Sequence, residues 1–147
     1  MSLRQPVWCV LRRLWQPQWL LWVLLLPGLL WAIPLNSADE SAIQSVRSFY
    51  GAKAGLRMTA WRELIRKGEA NGWNERQSMD ETNRFFNQLV FIPDISLWGK
   101  EDYWASPMEF LGAGGGDCED FSIAKYFSLL ELGVPDEKLR MVYVKSL

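Results

Sequence analysis

The sequence has 147 residues, 49% of them hydrophobic, so it is long and apolar enough for one domain with a packed core. Three of its 16 basic residues and none of its acids precede residue 39, so residues 39–147 carry 13 basic and 17 acidic side chains. This balance does not support nucleic-acid binding, which needs a basic face, and two cysteines are too few for a disulfide framework.

Residues 1–38 are predicted to be a signal peptide or an N-terminal membrane anchor. An uncharged run of 17 residues, 19–35, follows three arginines and precedes two acids, which is typical of a Sec-type export signal. The run is near the lower limit for spanning a bilayer, and residues 36–38 form a poorly defined cleavage site. Cleavage and retention, with membrane contact through residues 19–35, therefore both stay open. In either case residues 39–147 are predicted to be exported.

Two amphipathic helices are predicted next, over residues 40–51 and 55–70. The apolar residues that recur at helical spacing are Ile43, Val46, Phe49 and Tyr50 in the first helix and Leu56, Ala60, Trp61, Leu64 and Ile65 in the second. The other side of the second helix is basic and is predicted to face solvent, as such charge runs usually do. Its residues are Arg57, Arg62, Arg66 and Lys67.

A third helix is predicted to begin at the capping-box sequence Ser78-Met79-Asp80-Glu81 and to run to about residue 90. Its expected buried residues are Phe85, Phe86, Leu89 and Val90. Residues 93–111 are then predicted to form a long irregular connection with a helical turn after Pro107.

Connections of this length are usually functional or disordered, and the aromatic residues of this one argue against disorder. Trp98, Tyr103 and Trp104 either wall a cleft beside Cys118 or fill the core under the loop. Both roles stay open from the sequence.

The stretch 112–120 is a glycine-rich loop that leads into an apolar-periodic helix, predicted to end at Leu132. Asp117 is predicted to be the N-cap, which places Cys118 in the first turn. There the unpaired backbone N–H groups and the positive end of the helix dipole favour a thiolate. The glycines permit positive φ and close approach of the backbone to a substrate. Cys118 is therefore the candidate nucleophile, and the alternative is an inert buried cysteine.

Three carboxylates adjoin Cys118, and two interpretations of them stay open. In the first, Asp117 caps the helix while Glu119 and Asp120 complement its dipole. In the second, these carboxylates and carbonyl groups of the glycine loop bind calcium, which accepts about six to eight oxygen ligands in flexible geometry. Carboxylates this close oppose a thiolate, and a bound divalent cation would reverse that effect. We therefore predict that the nucleophilicity of Cys118 depends on calcium.

The sequence contains no histidine, so the base that normally accompanies a catalytic cysteine does not come from these residues. Zinc is also not expected, because its structural sites use four Cys or His ligands. The last residues, Lys138–Leu147, alternate loosely and are predicted to be a strand with no later partner in the sequence.

Several stretches resemble the bacterial transglutaminase-like cysteine proteinases. They are Trp-Gly at residues 98–99, Asp-Tyr-Trp-Ala-Ser-Pro at 102–107, Glu-Phe-Leu at 109–111 and, above all, Gly-Asp-Cys-Glu-Asp-Phe-Ser-Ile-Ala-Lys-Tyr-Phe at 116–127. The resemblance covers about residues 49–147. It implies an α+β fold of the papain-like or transglutaminase-like type and a Cys-His-Asp triad with Cys118 as nucleophile. It also implies a calcium site, for which the candidate ligands are Asp117, Glu119 and Asp120.

The same resemblance implies where such a protein works and on what. It implies a periplasmic location and cleavage of a large surface adhesin, which releases cells from a biofilm. It further implies a regulatory partner, an inner-membrane receptor that senses cyclic di-GMP.

One departure from the family limits these expectations. In the family, the triad histidine and aspartate lie on strands that follow the segment matching Met141–Leu147. Residues 39–147 are thus expected to be the N-terminal helical part of the protease domain with its first sheet strand, and to lack proteolytic activity. Two other functions stay open, a non-catalytic exported module that binds calcium or the receptor, and transglutaminase-type acyl transfer.

Overall fold

A computed structural model of the protein describes residues 36–144. In chain order the elements are α1 (Ser37–Tyr50), α2 (Ala52–Asn71), α3 (Glu75–Phe86), β1 (Val90–Phe91), α4 (Asp94–Leu97), α5 (Pro107–Ala113), β2 (Gly115–Gly116), α6 (Cys118–Glu131) and a 3₁₀ helix (Asp136–Lys138). The predicted signal or anchor lies outside the described residues, apart from 36–38 at the start of α1. Among the described helices, none has the length and apolar character needed to cross a bilayer.

The core lies where α1, α2 and α5 pack together and α6 covers α3 and α5. A chain of aromatic rings runs through it. The centroids of Phe86 in α3 and Phe110 in α5 are 6.0 Å apart, and Phe121 in α6 lies 4.7 Å from Phe110. Because Phe86 and Phe110 are fully buried, these rings fix the start of α6 against the core.

The first two helices are confirmed, although both begin three residues earlier than predicted, and α1 ends one residue earlier and α2 one residue later. Asn36 begins α1 by accepting the backbone N–H of Asp39 at 2.8 Å. Gly51, with φ of +88°, separates α1 from α2. The predicted apolar faces are only partly buried, because Phe49 and Leu56, on either side of this corner, are 88% and 63% exposed.

The third helix begins earlier than predicted, because Asn74 and Gln77 form the capping box. The N–H of Gln77 donates to Asn74 Oδ1 at 2.9 Å, and the N–H of Asn74 donates to Gln77 Oε1 at 3.1 Å. Ser78, the predicted cap, is buried inside the helix instead. The helix ends at Phe86, so Val90, predicted to be a buried helical residue, lies in β1 and is 61% exposed.

Strands β1 and β2 form a short parallel pair, in which Val90 lies opposite Gly115. The N–H of Ile92 donates to the carbonyl oxygen of Gly116 at 2.8 Å. A Cβ at residue 115 would lie 2.1 Å from the carbonyl oxygen of Val90, so glycine is required for this approach. Two-residue strands have no alternating pattern, which is why the sequence does not predict them.

The connection at residues 93–111 is more regular than predicted, since it contains α4 and most of α5. The helical turn expected after Pro107 is confirmed as α5. Its cap is reciprocal, with the N–H of Glu109 donating to Ser106 Oγ at 3.3 Å and the N–H of Ser106 donating to Glu109 Oε2 at 2.8 Å.

The strand predicted for Lys138–Leu147 is wrong over the described part of that segment. Residue 138 ends the 3₁₀ helix, and residues 139–144 have no regular secondary structure. A strand requires hydrogen bonds to a neighbour, and the two strands among the described residues pair with each other. Residues 145–147 lie outside the described residues.

The basic side of α2 is not simply the solvated face that was predicted. Arg62 forms an ion pair with Asp39 of α1 at 2.7 Å and a second ion pair with Glu131 of α6. Only 16% of its side chain is exposed, so Arg62 connects three helices. Arg57 has a separate structural role at the end of α5.

The buried hydrogen bond between Trp61 and Ser128 offers a test of how α6 is held. Trp61 Nε1 donates to Ser128 Oγ at 2.8 Å, and Ser128 Oγ donates to the carbonyl of Ala124 at 2.7 Å. Ser128→Ala leaves a buried indole N–H without an acceptor, so we expect the free energy of unfolding to fall by about 1–3 kcal/mol in urea denaturation.

Ser122→Ala is the matched control for Ser128→Ala. Ser122 makes the same type of bond, to the carbonyl of Cys118 at 2.8 Å, but it is exposed. We expect it to change the free energy of unfolding by less than about 0.5 kcal/mol. Equal losses in the two variants would contradict the structural role of the buried pair.

Candidate functional site

Cys118 is the first residue of α6, and its thiol is exposed. Asp117 is the N-cap, as predicted, with extended backbone geometry (φ −106°, ψ −160°). The helix that follows has 14 residues, so its first-turn N–H groups and its dipole act at the thiol. The exposed position excludes the inert buried cysteine that was the alternative.

The loop before Cys118 is fixed at its first end by Arg57 of α2. Arg57 Nε donates to the carbonyl of Leu111 at 2.6 Å, and its Nη2 donates to the carbonyl of Gly112 at 2.6 Å. The guanidinium thus satisfies carbonyl groups at the C-terminal end of α5, where a positive charge is favourable. Gly114, with φ of +85°, then ends the helix in the left-handed region that suits glycine.

The second half of the loop is held by close packing within the protein. A Cβ at residue 116 would lie 2.2 Å from Asp120 Oδ2. Similarly, a Cβ at residue 115 would overlap the backbone of β1. These glycines therefore permit close approach of the backbone to Asp120 and β1, while the predicted approach to a substrate stays a prediction. The glycines bring the start of α6 against its supports.

Three carboxylates from two elements converge beside Cys118. Oxygen atoms of Asp94, Asp117 and Glu119 all lie within 4.8 Å of one another. Asp94 is 2% exposed, and its Oδ2 accepts the N–H of Tyr103 at 2.5 Å. Asp94 Oδ1 and Asp117 Oδ1 are buried and have no hydrogen-bond partner in the described structure.

Asp120, the third candidate calcium ligand from the sequence, is placed differently. Its side chain is completely buried, and it accepts the N–H of Ala105 at 2.7 Å and the N–H of Asp117 at 3.4 Å. Burial raises its pKa, while these two hydrogen bonds oppose the increase. The structure brings Asp117 and Glu119 together with Asp94, and it uses Asp120 to hold the backbone.

Asp94 is the site residue that the sequence did not identify, because it lies far from Cys118 in the chain. The signal that could have found it is its position directly after Pro93, at the start of a long aromatic connection. Only the fold shows that this connection passes beside the start of α6.

The proximity of these acids changes the ionisation of Asp117. Burial, a hydrogen bond shared with Glu119 and the charges of Glu119, Asp94 and Asp120 raise the pKa of Asp117 from 3.8 to about 7. Asp117 therefore keeps its proton to a higher pH than an ordinary aspartate does.

The cluster fits a hard cation. Its donors are carboxylate oxygens, two of them are buried without partners, and their mutual repulsion would be relieved by a divalent positive charge. Calcium prefers such oxygen donors, whereas zinc sites use nitrogen and sulfur. The residues that would hold it are Asp94, Asp117 and Glu119.

Cys118 opens onto a cavity of about 710 Å³ between α6 and residues 139–144. Its wall includes Trp104 and Tyr126. The aromatic residues of the long connection divide between the two predicted roles. Trp98 and Tyr103 pack on the core with their ring centroids 4.8 Å apart, whereas Trp104 lines the cavity.

Comparison with protein families gives a match over residues 62–147, to the family described as bacterial transglutaminase-like cysteine proteinase BTLCP. A comparison with curated proteins gives no match.

Solved structures of LapG from Legionella pneumophila are similar to this chain. One of them is 39% identical to this chain, with a TM-score of 0.57. The match covers 71% of this chain and 55% of the LapG chain. The calcium-bound LapG structure is 38% identical with a TM-score of 0.56 and covers 67% of this chain and 53% of its own. The EGTA-treated LapG structure is 39% identical with a TM-score of 0.56, and the match covers 71% of this chain and 54% of the LapG chain. The chain thus spans about half the length of these proteins, and the similarity confirms the predicted fold class.

The pKa of Asp117 predicts how the stability of the metal-free protein depends on pH. Because the pKa is about 7 in the folded state and 3.8 ordinarily, the folded protein binds more protons than the unfolded chain between these values. The contribution of Asp117 to stability is therefore greatest below about pH 4 and is lost as the pH rises to about 7. In chelator, Asp117→Asn should flatten the fall in the free energy of unfolding between about pH 4 and 7.

Asp80→Asn, on the exposed surface of α3, is the control for this experiment and should keep the wild-type pH dependence. Urea denaturation at several pH values measures both variants. An unchanged pH slope in Asp117→Asn would show that the acidic cluster does not perturb this carboxyl group.

Proposed function

The chain belongs to the bacterial transglutaminase-like cysteine proteinases, and on that basis we propose that it forms the nucleophile-bearing part of a calcium-dependent cysteine endopeptidase of the LapG type. Cys118 is the proposed nucleophile. The observation that carries this proposal is an exposed thiol at the start of α6, adjacent to a cluster of carboxylates with unpartnered buried oxygens.

In the proposed reaction, Cys118 Sγ attacks the carbonyl carbon of a peptide bond. The position at the start of α6 suits this role, since first-turn N–H groups favour both the thiolate and the negative oxygen that forms during the attack. The long connection and the segment 139–144 provide walls of the cavity in which a substrate would lie.

Calcium is the proposed cofactor, held by Asp94, Asp117 and Glu119. When bound, it neutralises carboxylate charge that otherwise opposes a thiolate at Cys118. The existence of calcium-bound and EGTA-treated structures of LapG supports calcium as the ion. Asp120 supports the site by keeping the backbone of residues 105 and 117 in place.

The proton acceptor for Cys118 is not a histidine of these 147 residues, because the sequence has none. A histidine and its orienting aspartate, which the family resemblance implies, would have to come from outside this sequence. A second candidate function is a non-catalytic exported module that binds calcium or a receptor, and the carboxylate cluster of Asp94, Asp117 and Glu119 supports its calcium binding.

The proposed substrate is a large surface adhesin, cut in the periplasm, and the proposed regulator is an inner-membrane receptor for cyclic di-GMP. The family resemblance and the basic-then-apolar order of residues 1–38 support these assignments. In a protein that also contains the histidine and aspartate segment, adhesin cleavage that is lost in Cys118→Ala would support the peptidase, and calcium binding without cleavage would support the binding module.

The calcium dependence of the thiol is tested by alkylation of Cys118 with iodoacetamide, followed by mass spectrometry to separate it from Cys9. We expect faster alkylation in calcium than in chelator, because the cation offsets the nearby carboxylates. Asp94→Asn should weaken calcium binding, measured by calorimetry, by at least about 10-fold and should remove most of the calcium effect on the rate.

The exposed variant Asp80→Asn should retain wild-type calcium affinity and the wild-type alkylation rates. If Cys118 reacts equally fast in calcium and in chelator, the proposed coupling of ion and nucleophile is wrong. If Asp94→Asn binds calcium as tightly as the wild type, the assignment of Asp94 is wrong.

A further inference from the structure

Trp104 is a large aromatic side chain that remains half in solvent, yet its position is fixed. It is 53% exposed, and its indole N–H donates to Asp102 Oδ1 at 2.9 Å. Exposed apolar area of this size costs free energy that burial would recover. A ring that is already ordered also loses little conformational entropy when something binds to it.

Two buried carboxylates fix the backbone on both sides of Trp104. The N–H of Tyr103 donates to Asp94 Oδ2 at 2.5 Å, and the N–H of Ala105 donates to Asp120 Oδ1 at 2.7 Å. Asp94 and Asp120 are 2% and 0% exposed. Because Asp120 also accepts the N–H of Asp117 at the start of α6, it sets the position of Trp104 relative to Cys118.

Trp104 lines two cavities, of which the first contains Cys118. The first has a volume of about 710 Å³ and the second about 600 Å³. Ile123 of α6 also lines both cavities. A peptide bound at Cys118 thus meets Trp104 on the side where the second cavity begins.

The second cavity has the chemistry of an apolar side-chain site. Its apolar lining includes the buried Met58 and Trp61 and the half-exposed Met108 and Phe127. Its charged residues are engaged with other protein groups, Arg62 with Asp39 and Glu131, and Glu109 with Tyr103 and Ser106. A pocket of this kind favours an apolar side chain over a charged one.

We infer that Trp104 is a specificity-determining residue, which contacts an apolar side chain of the substrate next to the carbonyl group that Cys118 attacks. This inference rests on the proposed function of Cys118. The second cavity receives that side chain, and Trp104 forms the boundary between it and the reacting thiol.

The test uses two alkylating probes that differ by one side chain, iodoacetyl-leucine amide and iodoacetyl-glycine amide. In each case Cys118 Sγ forms a bond to the probe methylene carbon, iodide leaves with the bonding electron pair, and the thiol proton passes to buffer. In the wild type we expect the leucine probe to modify Cys118 about 10-fold faster or more. Mass spectrometry measures both rates at Cys118.

In Trp104→Ala the ratio of the two rates should fall towards one, while Trp104→Phe should keep most of it. Phe49→Ala is the matched control, because Phe49 is an exposed aromatic residue that lines neither cavity. It should keep both the wild-type ratio and the wild-type rate with iodoacetamide. If Trp104→Ala shows no cooperative thermal unfolding, Asp102→Ala, which removes the acceptor of the indole N–H, should lower the ratio instead.

Equal rates for the two probes in the wild type, or a ratio that Trp104→Ala leaves unchanged, would overturn the inference. Labelling needs the thiol but no general base, so it is separate from peptide cleavage. Selective labelling at a rate that calcium leaves unchanged would contradict the proposed calcium-dependent function and support the Trp104 site. Labelling that calcium accelerates but that does not distinguish the two probes would support that function and contradict the Trp104 site.

Discussion

The completely buried carboxylate of Asp120 joins the start of α6 to the segment that carries Trp104. One of its oxygens accepts the N–H of Ala105 and the other accepts the N–H of Asp117, so a single side chain sets the spacing of two otherwise separate pieces of backbone. Burial of a carboxylate is unfavourable unless its hydrogen bonds are satisfied, and here the partners are backbone groups that also need acceptors. The positions of Trp104 and Cys118 relative to each other depend on these two hydrogen bonds.

A second constraint is that several carboxylates lie beside Cys118, whose proposed role as a nucleophile requires a negatively charged thiolate. The positive end of the α6 dipole lies at Cys118, while Asp94, Asp117 and Glu119 concentrate negative charge beside it. The raised pKa of Asp117 shows that the protein partly relieves the conflict with a proton when no cation is present. A divalent cation bound by these carboxylates would relieve it more completely, and proton and metal would then compete for the same oxygens.

The sequence predicts the helices well and the arrangement around Cys118 only in part. The N-cap at Asp117 follows from short-range rules, and the structure confirms it. The strand pair was missed because two residues carry no period, and Asp94 was missed because a carboxylate distant in sequence cannot be placed without the fold. The basic side of α2 was assigned to solvent because a charge pattern does not reveal partners such as those of Arg57.

The parallel pairing of β1 with β2 has a consequence for how the site is assembled. Parallel neighbours need a long crossover, so residue 90 meets residue 115 only after the intervening chain has folded back through α4 and α5. Closing that loop costs entropy before its contacts can repay it, which places the pairing late in folding. An incompletely folded chain therefore lacks the arrangement of carboxylates around Cys118. The candidate site is a property of the finished fold, and no short segment of the chain contains it.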